Sequence, residues 1–212
     1  DGYNSIDGGW FLVNGEDQDM IREKYEAVWK QIAERFAKYD EHLIFESMNE
    51  ESDGTYDGDP NKEYYANLNQ YNQIFVDTVR GTGEKNTHRW LLVPGWNTNI
   101  EYTVGDYGFE MPTDEKCSAG ESRMMVSVHY YDPWDYCGIE DLKTILWGEY
   151  GDNLIEVNGF PKMNKAKWGD ESYLDDLFSR MQEKFVKNDI PVIIGEYGCI
   201  DKSSAYADFA GQ

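Results

Sequence analysis

Cysteine is scarce in this chain: three in 212 residues, at Cys117, Cys137 and Cys199. An odd number leaves at least one unpaired, so the fold cannot be a disulfide scaffold. A Cys117–Cys137 bridge is possible but not indicated, and Cys199 reads as a small buried residue. Histidine is equally sparse, at three, and spread along the chain. That excludes a His-rich zinc site, and no metal or cofactor is expected. Basic charge is short as well: 19 Lys plus Arg against 41 acidic residues give a formal net charge of −22. A field of that sign repels nucleic acid and anionic membranes. No apolar run approaches transmembrane length, and the opening Asp1-Gly2-Tyr3-Asn4 does not read as a secretory leader.

What remains suits a neutral partner met outside the cell. Aromatic residues reach 15%, with 7 Trp and 16 Tyr, and many stand in loops rather than in apolar runs. Such rings can stack flat sugar faces. Trp10, Trp96, Trp134 and Trp168 are the candidate platforms; the alternative for each is ordinary loop packing.

The length allows one domain over residues 1–212, and the pattern alternates strand and helix. After a loop over 1–19, Ile21, Tyr25, Val28, Trp29, Ile32 and Phe36 fall at helical spacing. A second helix is predicted from Tyr64 to Val79, with Leu68, Tyr71, Phe75 and Val79 on one stripe. A third runs from Tyr173 to Asn188, with Ser172 as its N-cap. A short helix is expected near Asp141–Trp147, and another begins at Ala205–Gln212. The strands are Leu43–Phe45, Trp90–Val93, Met124–Tyr131 and the run from Ile190 to Gly198. In the last, Val192-Ile193-Ile194 reads as a strand buried on both faces. This order predicts an α/β domain with parallel strands. Gly81-Thr82-Gly83 ends a helix instead of opening one, so it is no phosphate loop. The acidic loop Glu51–Asp59 does not match the EF-hand register.

Two strands end in a carboxylate. His42-Leu43-Ile44-Phe45-Glu46-Ser47-Met48-Asn49-Glu50 and Ile190-Pro191-Val192-Ile193-Ile194-Gly195-Glu196 share one grammar: a short apolar run, then polar residues closing on glutamate. Catalytic side chains emerge at the C-terminal ends of strands in a parallel barrel. A barrel can thus bring Glu50 and Glu196 face to face, although either glutamate can also be a strand-end residue facing solvent. Two opposed carboxyls, one protonated and one ionised, are the minimum apparatus for cleaving a glycosidic bond. Met124–Tyr131 delivers His129 at its end, a position that a histidine with an ordinary hydrogen bond also occupies.

Asn49-Glu50, His129-Tyr130-Tyr131 and Ile194-Gly195-Glu196, each closing a strand in this order, resemble glycoside hydrolase family 5. Asp1-Gly2-Tyr3-Asn4 and Val93-Pro94-Gly95-Trp96-Asn97-Thr98-Asn99 extend the resemblance to its subfamily 4 of endoglucanases and xyloglucanases. The resemblance implies a (β/α)8 TIM-barrel fold, of which the chain holds strands four to seven as an internal fragment. It implies a retaining endo-β-1,4-glucanase with Glu50 as acid/base and Glu196 as nucleophile. It places Asn49 on the sugar 2-hydroxyl, and His129 and Tyr131 around the nucleophile. The implied partner is a β-glucan: cellulose, xyloglucan or mixed-linkage glucan. An incomplete barrel further implies open sheet edges: the chain is a truncated product, another chain or an oligomer completes it, or it adopts a smaller altered fold. Two other readings stand beside this one: an inactive fragment that still binds glucan, and an α/β binding protein in which both glutamates are structural.

Overall fold

The structure is a computed structural model that describes residues 9–55, 58–140 and 143–204. The Asp1–Asn4 motif and the helix expected at Ala205–Gln212 lie outside the described residues.

Among the described residues the chain runs α1 (Gln18–Phe36), β1 (Phe45–Glu46), α2 (Lys62–Gly81), β2 (Leu91–Asn99) and α3 (Ile100–Val104). It continues through β3 (Met124–Tyr130), α4 (Trp134–Cys137), α5 (Gly148–Asn158), α6 (Glu171–Lys184) and β4 (Val192–Tyr197). The four strands form one parallel sheet in the order β1-β2-β3-β4. The sheet curls into an incomplete (β/α)8 barrel of four strands.

The long helices form where the apolar spacing predicts them. On α2, Leu68, Tyr71, Phe75 and Val79 are all fully buried. Asn61 caps the helix by accepting from the Glu63 and Tyr64 amides, which satisfies donors that the first turn leaves free. On α1, Ile21, Tyr25, Trp29 and Ala33 face inward. Trp29 packs edge-on against Phe75, with ring centroids 4.4 Å apart. These side chains and those of Leu91, Val93, Val126 and Val128 make one core.

Arg89 ties the end of this core opposite the strand tips. Its side chain is fully buried and donates to the carbonyls of Phe36, Tyr39, Asp40 and Leu43 and to Asn86 Oδ1. A single guanidinium thus ties together four carbonyls of the turn between α1 and β1, of which those of Phe36 and Asp40 also accept the Tyr39 and Leu43 amides. Nearby, Arg80 grips Asp114 through a buried two-point ion pair at 2.8 and 2.9 Å.

Several expectations need correcting. β4 is an edge strand, not one buried on both faces: Val192 and Ile194 are half-buried and Ile193 is exposed. β1 begins at Phe45, so it covers only the end of the predicted Leu43–Phe45 strand. The segment 143–147 is not helical, and the helix forms next at α5. The α6 N-cap is Asp170, which accepts from the Ser172 and Tyr173 amides, not Ser172. The loop after Asn99 contains α3, a turn capped by Asn99 itself. Cys199 is exposed and only Cys137 is buried; all three cysteines are free thiols.

Candidate active site

Alternation along β3 decides what the inner face of the sheet carries. Val126 and Val128 join the core, so Ser127 and His129 point the other way, as period two requires. Ser127 Oγ donates to Glu46 Oε1 at 2.5 Å, reaching past β2 to β1. The floor under the strand tips is therefore polar, and its two members satisfy each other. Gly195 on β4 leaves room here. A Cβ at that position would come within 3.4 Å of His129 Nε2.

Beyond the floor the strand ends converge. His129 Nδ1 lies 2.8 Å from Glu50 Oε1 and 3.7 Å from Glu196 Oε2. Tyr131 O–H donates to Glu196 Oε2 at 3.0 Å. One donor atom from each of Glu50, His129 and Glu196 lies within 4.8 Å of the other two. The His129 side chain is only 5% exposed, whereas both carboxylates reach solvent. The ring is thus a buried post between two accessible acids. Burial pulls its pKa down. The hydrogen bond to Glu50 and the charges of Glu196, Glu50 and Glu46 outweigh that, so the net shift is upward. The Tyr131 hydroxyl is also pushed up, by desolvation first and then by its bond to Glu196. Both shifts favour the protonated form, which can donate toward carboxylate. A cation could also find ligands in Glu50, His129 and Glu196, but His129 Nδ1 already holds Glu50.

Backbone geometry fixes Glu50. Its φ of 51° is left-handed, as are those of Asn97 (52°) and Thr98 (50°). Two cross-links hold these conformations: Glu50 N–H donates to Thr98 Oγ1 at 3.0 Å, and Asn97 N–H to the Glu51 carbonyl at 2.9 Å. Non-glycine residues in this region cost free energy, and here three of them cluster where one carboxylate must be aimed.

The other candidates divide. Asn49 is exposed at the mouth beside Glu50. Trp134 is 57% exposed and stands edge-on to Tyr131, with centroids 6.3 Å apart. Its ring lies on Gly138, where a Cβ would meet it at 2.3 Å. Trp168 is 48% exposed and rests edge-on against Tyr173. Trp10 is half-buried, tilted on Phe11, with Lys24 Nζ 4.2 Å from its ring centroid. Trp96 is no platform. It is 3% exposed, belongs to the core, and packs beside Tyr65, whose hydroxyl accepts its backbone N–H.

Sequence reasoning missed Glu46, Ser127, Thr98 and Glu51. Ser127 did carry a signal: a polar residue two before His129 in an apolar strand shares its face. Glu51 is buried beside Glu50. Desolvation pushes its pKa up to about 8 against a smaller lowering by the Val13 amide. Asp132, just past Tyr131, is raised to about 6 by burial and then by the Glu101 charge.

Residues 8–210 match the sequence model of Cellulase (glycosyl hydrolase family 5). The chain is 53% identical over 208 residues to Endoglucanase A of Paenibacillus barcinonensis, covering 96% of this chain and 50% of that protein. It is 35% identical to a xyloglucan-specific endo-beta-1,4-glucanase of Bacteroides ovatus, covering 91% of this chain and 36% of the other. Among solved structures it resembles a family 5 xyloglucanase from Paenibacillus pabuli, with a TM-score of 0.86 and 52% identity over 99% of this chain and 60% of that one. The chain thus spans about half the length of the first of these curated relatives, and less of the second.

Proposed function

The chain belongs to glycoside hydrolase family 5, and from that premise we propose that it serves a retaining endo-β-1,4-glucanase in which Glu196 is the nucleophile and Glu50 the acid/base. The observation that carries this reading is the gap between the two carboxylates, whose facing oxygens lie within 4.8 Å. Retaining enzymes hold their carboxyls roughly 5–5.5 Å apart, while inverting ones leave about 6.5–9.5 Å for a water.

The steps follow from the placement of the groups. Glu196 attacks the anomeric carbon while Glu50 gives its proton to the departing glycosidic oxygen. Tyr131 steadies the attacking carboxylate through the hydroxyl bond at 3.0 Å. Glu50, now ionised, takes a proton from an incoming water, and that water releases the sugar from Glu196. His129 holds Glu50 in line during both halves through the hydrogen bond at Nδ1. Asn49, at the mouth, takes the sugar 2-hydroxyl. Trp134 and Trp168 offer exposed rings to further sugars, and Trp134 adjoins Tyr131. A β-glucan polymer, cellulose or xyloglucan, is the proposed substrate. The similar proteins are named as an endoglucanase and as a xyloglucan-specific endo-beta-1,4-glucanase. A polymer of that size is met outside the cell, which supports an extracellular site of action.

The test is hydrolysis of carboxymethyl cellulose and xyloglucan. Glu196→Gln abolishes turnover on both. Glu50→Gln lowers it about 10²–10⁴-fold but far less on an aryl glucoside, whose leaving group needs no proton. Turnover retained by Glu196→Gln overturns the assignment. Binding without turnover by the unaltered chain favours the glucan-binding reading, which the exposed Trp134 and Trp168 support.

A further inference from the structure

Cys137 and Cys199 take no part in the proposed reaction. Cys137 closes α4, and Cys199 follows β4, 199 − 196 = 3 residues past Glu196. Segment 199–202 runs beside α4 and its tail in a fixed register. Ile200 N–H donates to the Cys137 carbonyl at 2.9 Å. Lys202 Nζ donates to the Ile139 carbonyl at 3.3 Å and sits 5.6 Å from the Tyr136 ring centroid. The Cys199 side chain is within hydrogen-bonding reach of Tyr136 and acts electrostatically on Cys137. A backbone bond from the residue after one cysteine to the carbonyl of the other makes the two lateral neighbours. A disulfide needs its Cα atoms roughly 4.4–6.8 Å apart, which is the scale of separation between laterally neighbouring residues. Cys117 belongs to another loop, next to the Ser118 amide that donates to the Thr87 carbonyl at 2.8 Å.

We propose that Cys137 and Cys199 are a dithiol pair that closes reversibly to a disulfide by exchange with a low-molecular-weight disulfide. The exposed Cys199 loses its proton to solvent, and its thiolate attacks the reagent disulfide. One reagent thiolate leaves, and a mixed disulfide remains on Cys199. The Cys137 proton then passes to solvent. Its sulfur attacks Cys199 Sγ, forming the protein disulfide and expelling the second reagent thiolate. Two protein thiols are oxidised and one reagent disulfide is reduced to two thiols. The order of attack follows from access. Cys199 is open to solvent, whereas burial and then the neighbouring Cys199 push the Cys137 thiol up to about 11. Lys202 partly offsets that shift and favours the resolving thiolate. Closure joins the tail of β4 to the segment that presents Trp134.

The experiment treats the chain with oxidised glutathione, alkylates the remaining thiols and maps the non-reduced peptides. The alkylatable thiols fall from three to one, the Cys137 and Cys199 peptides appear linked, and Cys117 alone carries the label. Tm rises by roughly 5–10 °C on oxidation and returns with dithiothreitol. Cys117→Ser closes as the unaltered chain does; Cys199→Ser shows neither the link nor the rise. Glutathione left on Cys199 without closure, a bridge that includes Cys117, or dimers linked through Cys199 overturns the proposal. The outcome does not depend on glucan hydrolysis.

Discussion

Glu51 follows Glu50 in sequence, yet the two carboxylates live in different media. Glu50 faces His129 and solvent. Glu51 is buried toward the Val13 amide, and its charge raises the pKa of Tyr25 and of Tyr71. The folded chain keeps a proton on Glu51 up to about pH 8, whereas the unfolded chain releases it near 4.5. The unfolded state thus sheds a proton that the folded state retains, so this group costs stability as pH rises from 4.5 toward 8 and adds no further cost above. At pH 7 the cost is about 3 kcal/mol. Glu51→Gln therefore raises Tm at pH 8 and leaves it nearly unchanged at pH 4.5, as calorimetry at the two pH values checks. The tryptophans separate by burial in the same way. Trp96→Ala costs about 3–5 kcal/mol of stability. Trp134→Ala leaves denaturant midpoints within about 0.5 kcal/mol but weakens glucan affinity, read by calorimetric titration.

The elements show which parts of the architecture were legible. The stripes of α1 and α2 were plain, because 3.6-residue periodicity survives any tertiary context that buries one face. Glu50, Glu196, His129 and Tyr131 were legible as the polar residues that close apolar runs, and the structure brings these four together. Trp96 was misjudged because proline and glycine before it mimic a loop, while β2 runs through Pro94 and Gly95 to Asn99. The segment 143–147 was misjudged because its apolar residues, Ile145 and Leu146, bury into a small cluster with Leu154 and Phe160 without forming a helix. Ser127 and Glu46 went unnoticed because a buried polar pair across two strands needs the register of the sheet. Arg89 left no pattern either, since its partners are backbone carbonyls. Arg89→Met takes the guanidinium donor from the Tyr39 and Leu43 carbonyls, while those of Phe36 and Asp40 keep the Tyr39 and Leu43 amides. At about 1–3 kcal/mol for each unsatisfied group, this substitution lowers Tm, as thermal melting followed by circular dichroism checks.

At the scale of the molecule, a net charge of −22 on 212 residues sets up self-repulsion that opposes compactness. Raising sodium chloride from 10 to 150 mM shortens the screening length from about 30 to about 8 Å, so Tm increases over that interval; a flat or falling Tm contradicts this. Among the described residues β1 and β4 are the outermost strands of the sheet, yet the segment after β1 and the end of β4 supply the two carboxylates that meet above β2 and β3. Three strand spacings of about 4.8 Å would set flat outer strands about 14 Å apart. The facing oxygens are instead within 4.8 Å. The gap between Glu50 and Glu196 therefore combines the curvature of the sheet with the path of the segment after β1 and the reach of the two side chains. On the proposed mechanism, any relaxation of the arc that widens the gap past about 6.5 Å carries the pair out of the double-displacement range, so the bend of the sheet would bear on the stereochemistry as much as the identity of the acids.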